Sequence, residues 1–279
     1  MFAKPSFKIW ALSLVILAIA AAGYVDTSDA DPSIRTAEAI LDRGELSVLG
    51  EQNTFLYAKG THGYYTKLGL MMPILYLAPV AAARLHSRFS GWNLTRLTQF
   101  YVSLVNPVLG SFIVLALFLF LRGLSVPVDR SVWMVIAIFF GTLLFPYSKT
   151  SHREIFQALC LLGAFYFAYR EKILLAGLAG ALGILTKQAF AVPLLPLAIW
   201  MLVSRKVRFF IPVVASILCW AAFSWICLGS VTNTGYNATT PAHAAAFWSH
   251  SLWRGLHLQL SSYRTGLFVY SPILVLCLI

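Results

Sequence analysis

From residue 9 onward the chain is a succession of apolar runs separated by short polar turns, and this pattern restricts the fold more than any motif does. The runs cover residues 9–25, 68–83, 100–121, 131–146, 155–169, 173–186, 190–203, 209–228 and 266–279. Hydrophobic residues make up 59% of the chain and charged residues 11%, whereas soluble domains are about 25% charged. Mean hydropathy is +0.77. Lipid offers the backbone no hydrogen bonds, so runs of this kind predict helices. The expected fold class is an all-α integral membrane protein, a multi-helix transmembrane bundle with short amphipathic helices in an external loop. It reads as one transmembrane domain, 1–279. Its parts are a first span (1–25), an acidic external loop (26–66), a helical bundle (67–228), a second external loop (229–265) and an incomplete last span (266–279). Several runs fall short of the ~20 residues that cross a ~30 Å core, which suggests funnelled or re-entrant geometry near a site.

Net charge is +11. In a membrane protein Lys and Arg gather in cytoplasmic loops and beside anionic head groups, so nucleic acid is not an expected partner. Lys4 and Lys8 would also suit a signal peptide, but an uncleaved anchor is favoured because further spans follow and the acidic loop gains by being tethered; the two lysines then hold the N-terminus inside. Residues 26–66 then lie outside. Arg170 with Lys172, and Arg205 and Lys206 with Arg208, are two basic clusters separated by two apolar runs, and both fit the cytoplasmic side. Residues 149–154, the Lys187 turn and residues 229–265 fall outside with the acidic loop. A cytoplasmic Arg122–Arg130 connection gives run 68–83 the wrong parity for a simple crossing. Either that run is a re-entrant or surface element, or one crossing is miscounted.

Seven of the ten acidic residues, Asp26, Asp29, Asp31, Glu38, Asp42, Glu45 and Glu51, fall within 26 positions after the first run. Carboxylates are costly in lipid, so this segment is aqueous. Asp31-Pro32-Ser33 reads as a helix start with Asp31 as N-cap and Pro32 at the first helical position. Ile34, Ala37, Ile40 and Leu41 share one face, and Gly44 ends the helix. The expectation is an amphipathic helix at the membrane surface, with Glu38, Asp42, Glu45 and Glu51 on a wet face. Asp26 and Asp29 are left at the exit of the first span. Lys67, next to Tyr64 and Tyr65, is either an interfacial anchor or a point charge for a phosphate.

Cys160, Cys219, Cys227 and Cys277 sit in apolar runs without metal-ligand spacing and read as packing residues. His243, His250 and His257, with Trp248 and Trp253, suggest an interfacial helix rather than a metal site. Asn93 and Asn237 head sequons that read as accidental. Glu154 opens run 155–169, where an acid complements the helix terminus or serves a site. His152 reads as a surface imidazole or a second base.

Asp29, Gly44 and Tyr64-Tyr65-Thr66-Lys67 follow the first span in an order that resembles the GT-C glycosyltransferase superfamily, in particular the protein O-mannosyltransferase and aminoarabinose transferase type. Pro146 through Glu154 resembles the second external loop of that fold. Gly183-Ile184-Leu185-Thr186-Lys187 and the block from Arg264 to Pro272 resemble uncharacterised bacterial membrane proteins of the superfamily. The resemblance implies transfer of a sugar from a polyprenyl-phosphate carrier to an envelope acceptor, a lipid, glycan or protein hydroxyl, on the outer face of a bacterial cytoplasmic membrane. It implies Asp29 as catalytic base, with Asp26 as understudy and Glu154 as a further catalytic candidate. Lys67, Tyr65, Lys149, Arg153 and Lys187 would bind substrate, and cations would neutralise the leaving phosphate. The implied partners are the lipid-linked donor and membrane lipids. No cofactor is implied, and a divalent metal stays open.

Ala30, Thr66 and Leu68-Gly69 stand where aminoarabinose-type members carry acids and a Pro-Pro pair, which leaves donor, acceptor and metal dependence open. The last run has 14 residues and no polar tail, so a C-terminally truncated chain is expected. The alternatives are a non-enzymatic transport or lipid-handling protein and an inactive truncated transferase. A transporter predicts ionisable residues at mid-membrane, whereas nearly every charge here lies at a boundary.

Overall fold

The computed structural model describes residues 4–50, 56–67, 69–233, 235, 251–262, 267 and 271, and among these the chain is mostly helical. In order come α1 (Lys4–Ala20), α2 (Asp31–Arg43), strands β1 (Tyr57–Lys59) and β2 (Tyr64–Thr66), α3 (Met71–Ser90), α4 (Leu94–Ser103) and α5 (Val105–Gly123). Then follow α6 (Val128–Phe140), α7 (Leu144–Ser148), α8 (Glu154–Tyr169), α9 (Ile173–Thr186), α10 (Ala191–Val203), α11 (Phe210–Leu228) and a further helix, Leu252–Ser261. Glu51, Asn237, His243, Trp248, His250, Cys277 and most of the Arg264–Pro272 block and last run lie outside the described residues.

Among the described residues two helical stretches are long and apolar enough to cross a membrane: Leu94–Gly123, where α4 runs into α5, and Val207–Leu228. In the second, only 28% of the apolar window is buried. A core helix of a soluble protein would hide such a surface; here Ile211, Leu218 and Trp225 point outward. The stretches containing α1, α8, α9 and α10 are shorter apolar helices.

Side-chain contacts sort the helix ends into two groups. Ser125, Glu171 and Arg205 each adopt positive φ just after α5, α8 and α10. In each case the next amide reaches back five residues, Val126 to Leu121, Lys172 to Phe167 and Lys206 to Met201. This is the Schellman closure, which satisfies carbonyls left over at a helix end. Tyr169 Oη donates to the Gly123 carbonyl at 2.9 Å, and Lys206 Nζ pairs with Glu171 at 2.8 Å. These three ends therefore sit together, with Arg122, Arg170, Lys172 and Arg208 around them. Trp10 stacks near Phe112 and Leu17 approaches Gly110, so α1 runs antiparallel to α5 and brings Lys4 and Lys8 to the same basic end.

The opposite end gathers the acidic loop. Leu70 donates its amide to Leu185 at 2.9 Å, and Gly69, at φ +97, presses on Thr186 so closely that a Cβ would fall 2.1 Å from the carbonyl oxygen. From there α3 departs and α4 returns, rejoining the bundle at the start of α5. The two helices form a hairpin that begins and ends at the acidic end. Its turn is held by Ser87 donating to the Trp92 carbonyl at 2.7 Å and by the His86–Tyr101 hydrogen bond at 3.1 Å. Asn93 caps α4 by accepting from the Arg96 amide at 3.1 Å.

Several expectations need correction. Asp31 is not the N-cap of α2. A 3-10 turn, Ser28–Ala30, runs straight into the helix, and Thr27 caps that turn instead by accepting from the Asp29 amide. Asp31 instead pairs with Arg35 at 3.0 Å and accepts from Tyr57 Oη at 3.2 Å. Gly44 does end the helix, in the left-handed conformation. Ile34 and Ala37 are buried, while Leu41 is exposed and Asp42 is held by Arg84 at 2.6 Å, so α2 packs on α3. Run 131–146 breaks into α6 and α7 at Gly141. The ribbon β1–β2 follows no alternation visible in the sequence. It is held by docking on the end of α11, where Thr61 donates its amide to Cys227 at 2.9 Å and Tyr65 meets Phe223 edge-on.

Glu38 faces Arg35 and Arg84 from α2. Burial pushes its carboxyl above the ordinary glutamate range, and Asp42 and Asp31 push the same way, against the two arginines. A raised folded pKa means that stability present at acid pH is lost as pH rises through that pKa. Glu38→Gln is expected to raise the melting temperature slightly at neutral pH and to match the parent near pH 4, as read by thermal denaturation across pH.

Candidate functional site at the acidic end

At the acidic end an ion pair joins residues 124 positions apart. Arg153, at the head of α8, donates from Nη2 to Asp29 Oδ2 at 2.7 Å. The arginine side chain is 9% exposed and the aspartate 41%, so a nearly buried guanidinium is faced by a carboxylate that reaches solvent. This is a charge-assisted hydrogen bond of the stronger kind. Asp26 accepts from the Ser151 amide at 2.9 Å and so ties the end of the first span to the same loop.

That loop is built from within α5. Asn106 is 1% exposed, and its amide nitrogen donates to the carbonyls of Thr150 and His152 at 2.6 Å each, with Tyr147 at 3.4 Å. An amide carries two N–H groups, so the two short contacts take them and the third is weak. Tyr76, from α3, adds a long contact to the Ser151 carbonyl at 3.5 Å. The loop therefore owes its shape to two buried side chains on other helices, and that shape aims Arg153 at Asp29.

Two spaces flank the Arg153–Glu154 step. The inner one, lined by Asp29, Ser33, Met72, Tyr76, Ser151 and Arg153, has a volume of about 10 Å³. That is room for about one water molecule. The outer one is an open crevice of about 300 Å³, whose lining includes Glu154, Gln157, Ala158, Leu161, Lys187 and Phe190. This is the lower limit of ordinary ligand pockets, which combine apolar walls with a few polar groups. Glu154 stands in the first turn of α8, where an acid complements the helix terminus, and lies 3.8 Å from His152 and 4.0 Å from Arg153 Nε.

The candidates thus divide. Asp29 and Arg153 line the inner space, and Glu154 and Lys187 the outer one. Asp26 serves the loop backbone. Lys149 lies over the Phe145 ring at 4.7 Å. Lys67 is 5% exposed at the end of β2, and burial lowers its ammonium pKa below the usual lysine range. Its chain segment abuts the Thr186–Lys187 turn through Gly69. Tyr65 is buried against α11, edge-on to Phe223. Asn106 and Tyr76 escaped the sequence reading. A lone Asn inside an apolar run was the available signal, because buried polar groups in such runs take specific partners.

Among the described residues no three His, Cys, Asp or Glu side chains converge to hold a metal ion. Comparison with family models, with curated proteins and with solved structures finds no match to this chain.

Proposed function

We propose that the chain is a multi-span membrane glycosyltransferase that moves a sugar from a polyprenyl-phosphate carrier to an envelope hydroxyl on the extracytoplasmic face. The observation that carries this reading is the meeting of Asp29 and Arg153 beside the Glu154–Lys187 crevice, at the end opposite the basic loops. The outward apolar surface of α11 supports a lipid setting, and basic clustering supports a cytoplasmic position for the other end. The carrier phosphate enters the crevice, where Lys187 meets it as a point charge. Arg153 then exchanges Asp29 for phosphate oxygens, and the freed carboxylate accepts the proton of the attacking hydroxyl as the anomeric bond to phosphate breaks. Glu154 orients the crevice mouth and His152.

Lys187→Ala is expected to raise the KM for the lipid-linked donor roughly tenfold, the loss of about 1.4 kcal/mol. Donor titration in reconstituted vesicles reads this. An unchanged KM removes Lys187 from the phosphate site. A second reading is favoured by the one-water size of the inner space: Asp29–Arg153 is a fixed structural pair and the crevice handles a lipid without group transfer. Lipid binding with no sugar release by the parent protein selects it.

A further inference from the structure

The α3–α4 hairpin carries an apolar surface on the side away from the protein. Met72, Tyr76, Val80 and Ala83 form the buried face of α3, each 2% exposed or less. On the opposite face, Ile74, Ala78, Ala81, Leu85 and Phe89 follow one another at steps of three or four and are all exposed. Such steps keep side chains on one stripe of a helix. The stripe contains no charge until Arg88 and continues around the turn to Trp92, with Leu85 57%, Phe89 84% and Trp92 66% exposed. On α4 the pattern differs: Thr95, Arg96 and Gln99 are exposed polar residues, interspersed with exposed Leu94 and Phe100. One helix of the hairpin thus offers an oily outer face and the other a mixed face with more polar groups.

We propose that this hairpin lies in the head-group layer of the bilayer, with the outer stripe of α3 and the Phe89–Trp92 turn set into the acyl boundary and the outer face of α4 in water. The inference rests on the membrane reading above. Charge selects anionic lipid as the partner. Residues 52–128 contain no Asp or Glu, and exposed Arg88 and Arg96 flank the aromatic turn, where cations meet anionic head groups and Trp sits at the lipid–water boundary. The rigid turn described above keeps the aromatics outward. The hairpin starts beside Thr186 and ends at Asn106, both at the acidic end.

The test uses Leu85→Cys, Phe89→Cys and Gln99→Cys, with Leu218→Cys on α11 as a reference, each spin-labelled in an otherwise cysteine-free full chain. The protein is reconstituted in vesicles of phosphatidylcholine and phosphatidylglycerol. Collision with oxygen is expected to exceed collision with a water-soluble nickel chelate at positions 85, 89 and 218, and the order is expected to reverse at 99. Nickel-favoured labels at 85 and 89 beside an oxygen-favoured 218 overturn the hairpin placement and leave the membrane bundle standing. Labels at 85 and 89 shielded from both reagents mean a protein partner covers the stripe, which also overturns it. A nickel-favoured label at 218 sinks the membrane reading itself.

Discussion

Asn106→Ala is expected to lower the unfolding free energy by about 2–4 kcal/mol, the largest stability loss for a single side chain at the acidic end. The magnitude follows from what remains after truncation. Two carbonyls, of Thr150 and His152, now accept from the amide at 2.6 Å. Without it they stay in a buried site with no donor, at about 1–3 kcal/mol each, partly recovered as the loop relaxes. Asn106→Asp keeps the shape and is expected to do worse, because a carboxylate would face carbonyl oxygens. Thermal or denaturant unfolding in detergent measures both variants. A loss within about 0.5 kcal/mol, the size of an ordinary surface change, would show that the loop holds its form without α5.

Asp29→Asn is expected to cut sugar transfer roughly 10²- to 10⁴-fold, the usual contribution of a positioned proton acceptor. The amide is close in size to the carboxylate and can still accept from Arg153 Nη2, so the local geometry has little reason to change. What it lacks is a proton affinity fit for the attacking hydroxyl. The variant also leaves the Arg153 charge nearly buried opposite a neutral group, which makes a modest loss of stability part of the expectation. Melting curves alongside the assay separate the two effects. A fall in transfer that tracks the folded fraction would assign Asp29 a structural role.

The helices were legible in the sequence because apolar length and turn residues report them directly. Run 173–186 coincides with α9, run 155–169 misses only Glu154 of α8, and Gly44 closes α2 as its position implied. The path of run 68–83 was not legible. A helix paired in a hairpin and one packed singly share the same composition, and the pairing of α3 with α4 and α2 is a tertiary fact. The ribbon escaped for a related reason: three-residue strands carry too little periodicity, and theirs is fixed by the end of α11. At the site, Asp29 and Arg153 were each marked by position, yet their pairing across 124 residues is a tertiary fact. The same holds for Asp26 and Tyr65. Their residue types suit chemistry, and the structure adds contacts that sequence does not report, a Ser151 amide on Asp26 and the Phe223 ring on Tyr65.

The claim that the acidic end performs transfer is tested most directly by measuring release of sugar from a polyprenyl-phosphate donor in vesicles containing equal folded amounts of the parent chain and Asp29→Asn. The account predicts transfer by the parent and its near-complete loss in the variant. Equal transfer by both, or none by the parent while it still binds the donor, would contradict it.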